Sequence, residues 1–207
     1  MKLCVSLNEN TFADYLQAAQ KFDFIELRLD LFNFTDQELH QLLKQKSKNI
    51  VSYLDAKTQE FTKIEKLKKA VDFGADIIDI DFNTSKQNIK NIIEYANKKK
   101  CKTIISYHNF NETPSIKKLN EIIKNTKEFN PDYIKIVCFA NTDKDNKTIL
   151  SLYKNQKNLI AFNMGKLGKI TRIKALENKA PFIYVSAEKS KETAEGQISI
   201  NKTKHIL

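Results

Sequence analysis

Strand-like and helix-like patterns alternate along the whole of this sequence. Short apolar, β-branched runs predict strands at Lys2–Leu7, Phe24–Leu31, Asn49–Leu54, Asp76–Phe82, Lys102–His108, Tyr133–Phe139, Leu159–Met164 and Phe182–Ser186. Amphipathic stretches between them predict helices at Thr11–Phe22, Thr35–Lys46, Phe61–Phe73, Ser85–Lys99, Ser115–Phe129, Asp143–Asn155 and, with weaker periodicity, Gly168–Asn178. The second helix opens Thr35-Asp36-Gln37-Glu38, the pattern of a capping box. About eight βα units in 207 residues, the last of them short and ending near Lys202–Leu207, predict an α/β protein. The specific expectation is a (β/α)8 TIM barrel, one domain over residues 1–207. An open doubly wound sheet is the competing arrangement. It prefers a glycine-rich turn after its first strand, whereas Leu7-Asn8-Glu9-Asn10-Thr11 has no glycine.

A barrel gathers its functional groups at the C-terminal ends of its strands, so polar residues inside apolar strands are the ones to follow. The run Tyr133-Ile134-Lys135-Ile136-Val137-Cys138-Phe139 holds one lysine in an otherwise apolar strand. A buried ammonium is costly unless paired or neutralised, and a neutral lysine amine attacks carbonyls to form a Schiff base. The plainer reading is a strand-end lysine whose head reaches water. In Ile25-Glu26-Leu27-Arg28-Leu29-Asp30-Leu31, strict alternation puts Glu26, Arg28 and Asp30 on one face. With the apolar face against the helices, those charges point into the barrel. An exposed, charged edge strand is the alternative. Asp79 and Asp81 share a face of the fourth strand, where either can serve as counter-ion to Lys135 or Arg28. Two aspartates also raise Mg²⁺, but no His/Asp/Glu grouping has clear ligand spacing, so no metal is expected. His108 closes the fifth strand, either as a proton shuttle or as a strand-end histidine bonded to backbone.

Only Arg28 and Arg172 among the 35 basic residues are arginines. Where lysine serves elsewhere, an arginine marks a need for a planar fork, as in gripping a carboxylate. Three of the four glycines, Gly165, Gly168 and Gly196, fall after the seventh and eighth strands, where barrels often bind anions. The net charge of +10 raises nucleic acid as a partner. However, the lysines are spread over most helices with acidic residues between them, and clusters such as Lys98-Lys99-Lys100 lack flanking aromatics. A small anionic substrate suits this field better. No apolar run approaches a membrane span, and the N-terminal strand is too short and too polar-flanked for a signal peptide. Cys4, Cys101 and Cys138 are odd in number without CxxC spacing, which predicts reduced thiols in a cytoplasm.

Taken in order, these motifs resemble the type I 3-dehydroquinate dehydratases, the Schiff-base dehydratases of the shikimate pathway. The resemblance covers nearly the whole chain. It is carried by Glu26-Leu27-Arg28-Leu29-Asp30, Asp79, Ser106-Tyr107-His108-Asn109-Phe110 with Thr113-Pro114-Ser115, Lys135-Ile136-Val137, Met164-Gly165 through Arg172, and Thr193-Ala194-Glu195-Gly196-Gln197. It implies that Lys135 forms an imine with the ketone of 3-dehydroquinate and that His108 is the general acid/base. Arg172 would grip the carboxylate; Glu26, Arg28, Thr193, Gln197 and, less strongly, Ser6 would bind hydroxyls or order the site, and Met164 would pack on the ring. Asp79 and Asp30 would support them. No metal or dissociable cofactor is implied, and a homodimer is expected.

The chain departs from the family pattern on its third strand. Ser52-Tyr53-Leu54-Asp55-Ala56-Lys57-Thr58-Gln59 has Leu54 at the place of an arginine and Thr58 near that of the carboxylate that orients the histidine. Asp55 and Lys57 are the nearby candidates to compensate. Glu195 replaces a proline in the last loop. The departures motivate an alternative, a barrel that binds a shikimate-like ligand without turnover. A class I aldolase-like lyase is the other enzyme reading.

Overall fold

The computed structural model describes residues 3–55, 57–188 and 191–206. Strands and helices alternate strictly: β1 (Leu3–Ser6), α1 (Phe12–Lys21), β2 (Phe24–Arg28), α2 (Asp36–Leu43), β3 (Lys48–Ser52), α3 (Glu60–Asp72), β4 (Ile77–Asp81) and α4 (Lys86–Lys98). The second half repeats the rhythm with β5 (Lys102–Asn109), α5 (Ile116–Lys127), β6 (Tyr133–Phe139), α6 (Asp143–Ser151), β7 (Leu159–Met164), α7 (Gly165–Glu177), β8 (Ile183–Ser186) and α8 (Ile200–Ile206). All neighbouring strands pair in parallel, in the order β7-β6-β5-β4-β3-β2-β1-β8. The sheet curls until its ends approach. Phe162 on β7 and Tyr184 on β8 have ring centroids 6.5 Å apart. Phe182, just before β8, meets Phe24 of β2 at 5.0 Å and Tyr133 of β6 at 5.6 Å. The architecture is a nearly closed (β/α)8 TIM barrel.

Alternation along each strand divides the apolar residues into two cores. Outward-facing Val5, Ile25, Leu27, Val51, Ile78, Ile80, Ile105, Ile134, Ile136 and Val185 pack beneath helix residues such as Leu39, Leu67, Ile92 and Ile122. Inward-facing Cys4, Phe24, Ile50, Ile77, Ile104, Val137, Ile160, Phe162, Phe182 and Tyr184 fill the lumen. A parallel strand buried on both faces needs apolar residues on both, which is why β6 reads as a nearly continuous hydrophobic run. The expected capping box is present: Thr35 accepts from the Glu38 N–H, and Glu38 accepts from the Thr35 N–H at 2.8 Å.

Several predicted boundaries move. β2 ends at Arg28, so Asp30 lies in the following turn instead of sharing the strand face with Glu26 and Arg28. β3 stops at Ser52, leaving Leu54 beyond the strand. The helix expected from Gly168 begins at Gly165, so Gly165 and Gly168 are helical, and Arg172 lies in the middle of α7 instead of near a helix start. α6 gives way to a 3-10 turn at Leu152–Asn155. Lys2, Ala56 and Leu207 fall outside the described residues.

Candidate active site

The inward residues change from apolar to polar toward the C-terminal ends of the strands. Register makes this a layer: Ser6 of β1 lies beside Glu26 of β2, Arg28 beside Ser52 of β3, and Ser52 beside Asp79 of β4. Further round, Ser106 of β5 lies beside Lys135 of β6. Lys135 is 4% exposed; Nζ donates to Asp79 Oδ2 at 2.9 Å and sits 4.3 Å from the Tyr184 ring centroid. Asp79 is 1% exposed, and burial pushes its carboxyl up despite the opposing pull of the Lys135 charge. Asp81, the other candidate counter-ion, instead accepts from the Asn83 N–H at 2.9 Å.

Arg28 is not free to pair with either fourth-strand aspartate. Its Nε and Nη2 grip Asp30 at 2.9 and 2.6 Å, a bidentate pair across the turn that ends β2. Buried Glu26 accepts from Ser6 Oγ and, at 3.1 Å, from Ser52 Oγ. The network continues into the segment after β8. Thr193 Oγ1 is 3.0 Å from Ser6 Oγ and 3.1 Å from Gln197 Oε1, which also accepts from the Thr193 N–H at 2.8 Å.

Arg172 is 2% exposed, with Cζ 4.3 Å from the Phe162 ring centroid, and neither Nε nor Nη2 has a partner among the described residues. Burial brings its pKa down to about 10, with Glu192 opposing, so it stays cationic at neutral pH. A buried guanidinium with unpaired donors is costly by itself and prepared for an anion. The segment that completes this wall depends on Gly196. Its φ is +77°, and a Cβ there would lie 2.6 Å from the Gly165 carbonyl oxygen. Glycine therefore lets the chain after β8 rest against the start of α7, where the Gly165 N–H donates to the Glu195 carbonyl at 3.4 Å.

These groups surround one cavity of about 310 Å³. Lys135, His108, Glu26, Arg28, Arg172, Thr193, Gln197, Ser6 and Met164 all line it. Asp79 lies behind Lys135, and Asp30 behind Arg28. His108 is partly buried, stacked on Phe110, with no polar partner among the described residues. Burial, then the positive charges of Lys135 and Arg28, hold its imidazole well below the usual histidine range, so it is neutral. Leu54 and Glu195 also line the cavity. Asp55 accepts from the Lys57 N–H at 3.0 Å and from Thr58 Oγ1 at 2.7 Å, so the third-strand loop closes on itself without a carboxylate on His108. Among the described residues, no group of three or more His, Cys, Asp or Glu is placed to hold a metal ion, and no helix is long and apolar enough to cross a membrane.

Sequence reasoning passed over Tyr184, Phe162, Phe139 and Val137, which also line the cavity. Their signal was period 2: Phe182, Tyr184 and Ser186 alternate along β8 just as Glu26 and Arg28 do along β2. In Phe182-Ile183-Tyr184-Val185 both faces are apolar, so alternation alone does not say which face is the lumen.

Fold and site together define a (β/α)8-barrel protein whose pocket, at the C-terminal ends of its strands, holds a buried lysine–aspartate pair and a buried arginine with unpaired donors among the described residues. A model of the type I 3-dehydroquinase family matches residues 3–207. The 3-dehydroquinate dehydratase of Methanococcus vannielii is 33% identical over 219 aligned positions, covering 99% of this chain and 98% of its own. That of Archaeoglobus fulgidus is 29% identical, covering 100% and 98%. The crystal structure of the type I 3-dehydroquinate dehydratase from Clostridium difficile superposes with a TM-score of 0.88 at 22% identity, over 99% of this chain and 90% of that one. The chain belongs to the type I 3-dehydroquinase family.

Proposed function

We propose that this protein is a hydro-lyase that converts 3-dehydroquinate to 3-dehydroshikimate and water through an imine on Lys135. The observation that carries the reading is the cavity's division of labour. A buried amine and a neutral imidazole face a space also lined by a buried guanidinium with unpaired donors. A small carboxylate bearing a ketone satisfies all three. Family membership supports the substrate.

Asp79, whose carboxyl is pushed up by burial, takes a proton from the Lys135 ammonium 2.9 Å away. Nζ then bonds to the ketone carbon, and the ketone oxygen leaves as water. The iminium draws electrons from the neighbouring C–H bond, and His108 accepts that proton. The electron pair forms the C=C bond as the hydroxyl on the next carbon departs, protonated by His108. A second water adds to the iminium, breaks the C–N bond and restores Lys135. Arg172 holds the carboxylate throughout, while Gln197, Thr193, Ser6 and Glu26 order the hydroxyls. The three cysteines are free and buried, which fits a reducing cytoplasm, and the family resemblance carries the expectation of a homodimer.

Leu54 on the cavity wall and the unpartnered imidazole favour one other reading, a barrel that binds a shikimate-like acid without turning it over. Borohydride reduction in the presence of 3-dehydroquinate, followed by intact mass and peptide mapping, separates the two. The expected result is a ligand-sized adduct on Lys135. Folded protein that binds the ligand yet yields no adduct would leave the binding reading in its place.

A further inference from the structure

His108 is the acid/base of the reading above, yet among the described residues nothing polar fixes its ring. The third-strand loop spends its carboxylate, Asp55, on Lys57 and Thr58. The contact that remains is a parallel stack: the imidazole and the Phe110 ring have centroids 5.9 Å apart and planes 11° apart. The backbone that carries this stack is held firmly. Asn109, between the two residues, accepts from the N–H groups of Asn111 and Glu112, each at 3.0 Å, and so builds the turn that ends β5. That turn keeps Phe110 on the same side of the chain as His108, two residues earlier. Phe110 is itself 63% exposed while lining the cavity, so its ring contributes little to the core.

We propose that Phe110 is the positioning residue of the acid/base step, holding the plane of the His108 imidazole where a carboxylate would otherwise do so. The proposal rests on the dehydratase reading. Offset aromatic stacking at this separation is attractive and strongly orientation-dependent. It restricts rotation of the imidazole out of plane, although it does not choose which nitrogen faces the substrate, since a ring flip preserves the stack. A hydrogen-bonded carboxylate would fix both. Proton removal needs the base aligned with the C–H bond, whereas imine formation at Lys135 does not use His108's plane. A loosened ring therefore slows dehydration and leaves imine formation intact.

Steady-state kinetics and borohydride quenching of wild type, Phe110→Leu and Phe110→Tyr test this. Phe110→Leu is expected to lower kcat on the order of tenfold or more, with a smaller change in KM. Its quenched protein should shift from the dehydrated adduct toward the adduct one water heavier. Phe110→Tyr keeps a planar ring and should stay within about threefold of wild type. A Phe110→Leu protein with raised KM but unchanged kcat and adduct masses would make Phe110 a plain wall of the cavity and overturn the proposal. Equal loss in the Leu and Tyr variants would overturn it too. Wild-type protein that neither turns over nor traps ligand would instead remove the dehydratase reading, and this proposal with it.

Discussion

His108 feels the positive charges of Lys135 and Arg28 and has no ion-pair partner among the described residues. Burial and the charges of Lys135 and Arg28 depress its pKa in the folded state, while the unfolded chain returns it to about 6.5. Between those two values the unfolded state binds more protons, so the stability associated with this residue is full above about pH 6.5 and is lost as pH falls toward the folded value. The stability difference between wild type and His108→Asn, measured by urea unfolding, is expected to shrink as pH is lowered from about 7 to about 5. A difference constant across that range would mean that the imidazole keeps its ordinary pKa. The same depression keeps the imidazole a free base at neutral pH, ready to accept a proton. Lys135, its partner across the cavity, stood out in the sequence because one charge in an apolar strand has few explanations. The Asp79 partner did not, because Asp79 and Asp81 are equivalent by alternation and only the barrel's curvature selects one.

α7 is the element that brings Arg172 to the site, and Gly168 sets its depth. A Cβ on Gly168 would lie 2.6 Å from the carbonyl carbon and oxygen of Asn163 on β7, backbone atoms that cannot move aside cheaply. Thr171 reinforces the contact, donating to the Gly168 carbonyl at 2.6 Å and accepting from the Asn163 N–H at 2.8 Å. Arg172 follows one helical turn after Gly168, on the same side. Gly168→Ala is expected to cost about 1–3 kcal/mol by overpacking and to raise KM more than it lowers kcat, because the guanidinium moves with the helix. Thermal unfolding and steady-state kinetics check both parts; an unchanged Tm together with an unchanged KM would refute the account. The start of this helix was misread because α7 buries small and polar residues, Gly165, Gly168, Thr171 and Arg172, where periodicity looks for large apolar ones.

At the scale of the whole molecule, a net charge of +10 surrounds a pocket that holds one buried guanidinium, Arg172, with unpaired donors among the described residues. Such a field draws a small carboxylate inward from beyond contact distance. Raising ionic strength from about 0.01 to about 0.15 M shortens the screening length from about 30 to about 8 Å. kcat/KM for 3-dehydroquinate is therefore expected to fall several-fold over that range, with kcat nearly constant. A flat salt profile would confine the lysines to solubility. Because those lysines are dispersed over the outer helices, they shape the field at the mouth.

Local patterning was enough to establish the βα rhythm, the barrel in preference to an open sheet, and the residues facing inward at the strand ends. These follow from periods of 2 and 3.6 and from how rarely lysine and arginine occur where they are not needed for solvation. The pairing of charges had to wait for the assembled sheet. Lys135 and Asp79 are 56 residues apart, and Ser6 and Thr193 are 187 apart. Only assembly of the curved sheet brings such side chains within hydrogen-bonding distance. It also leaves Arg172 Nε and Nη2 buried without a partner among the described residues and stacks His108 on Phe110, because burial and unmet hydrogen bonds depend on what every other strand places nearby.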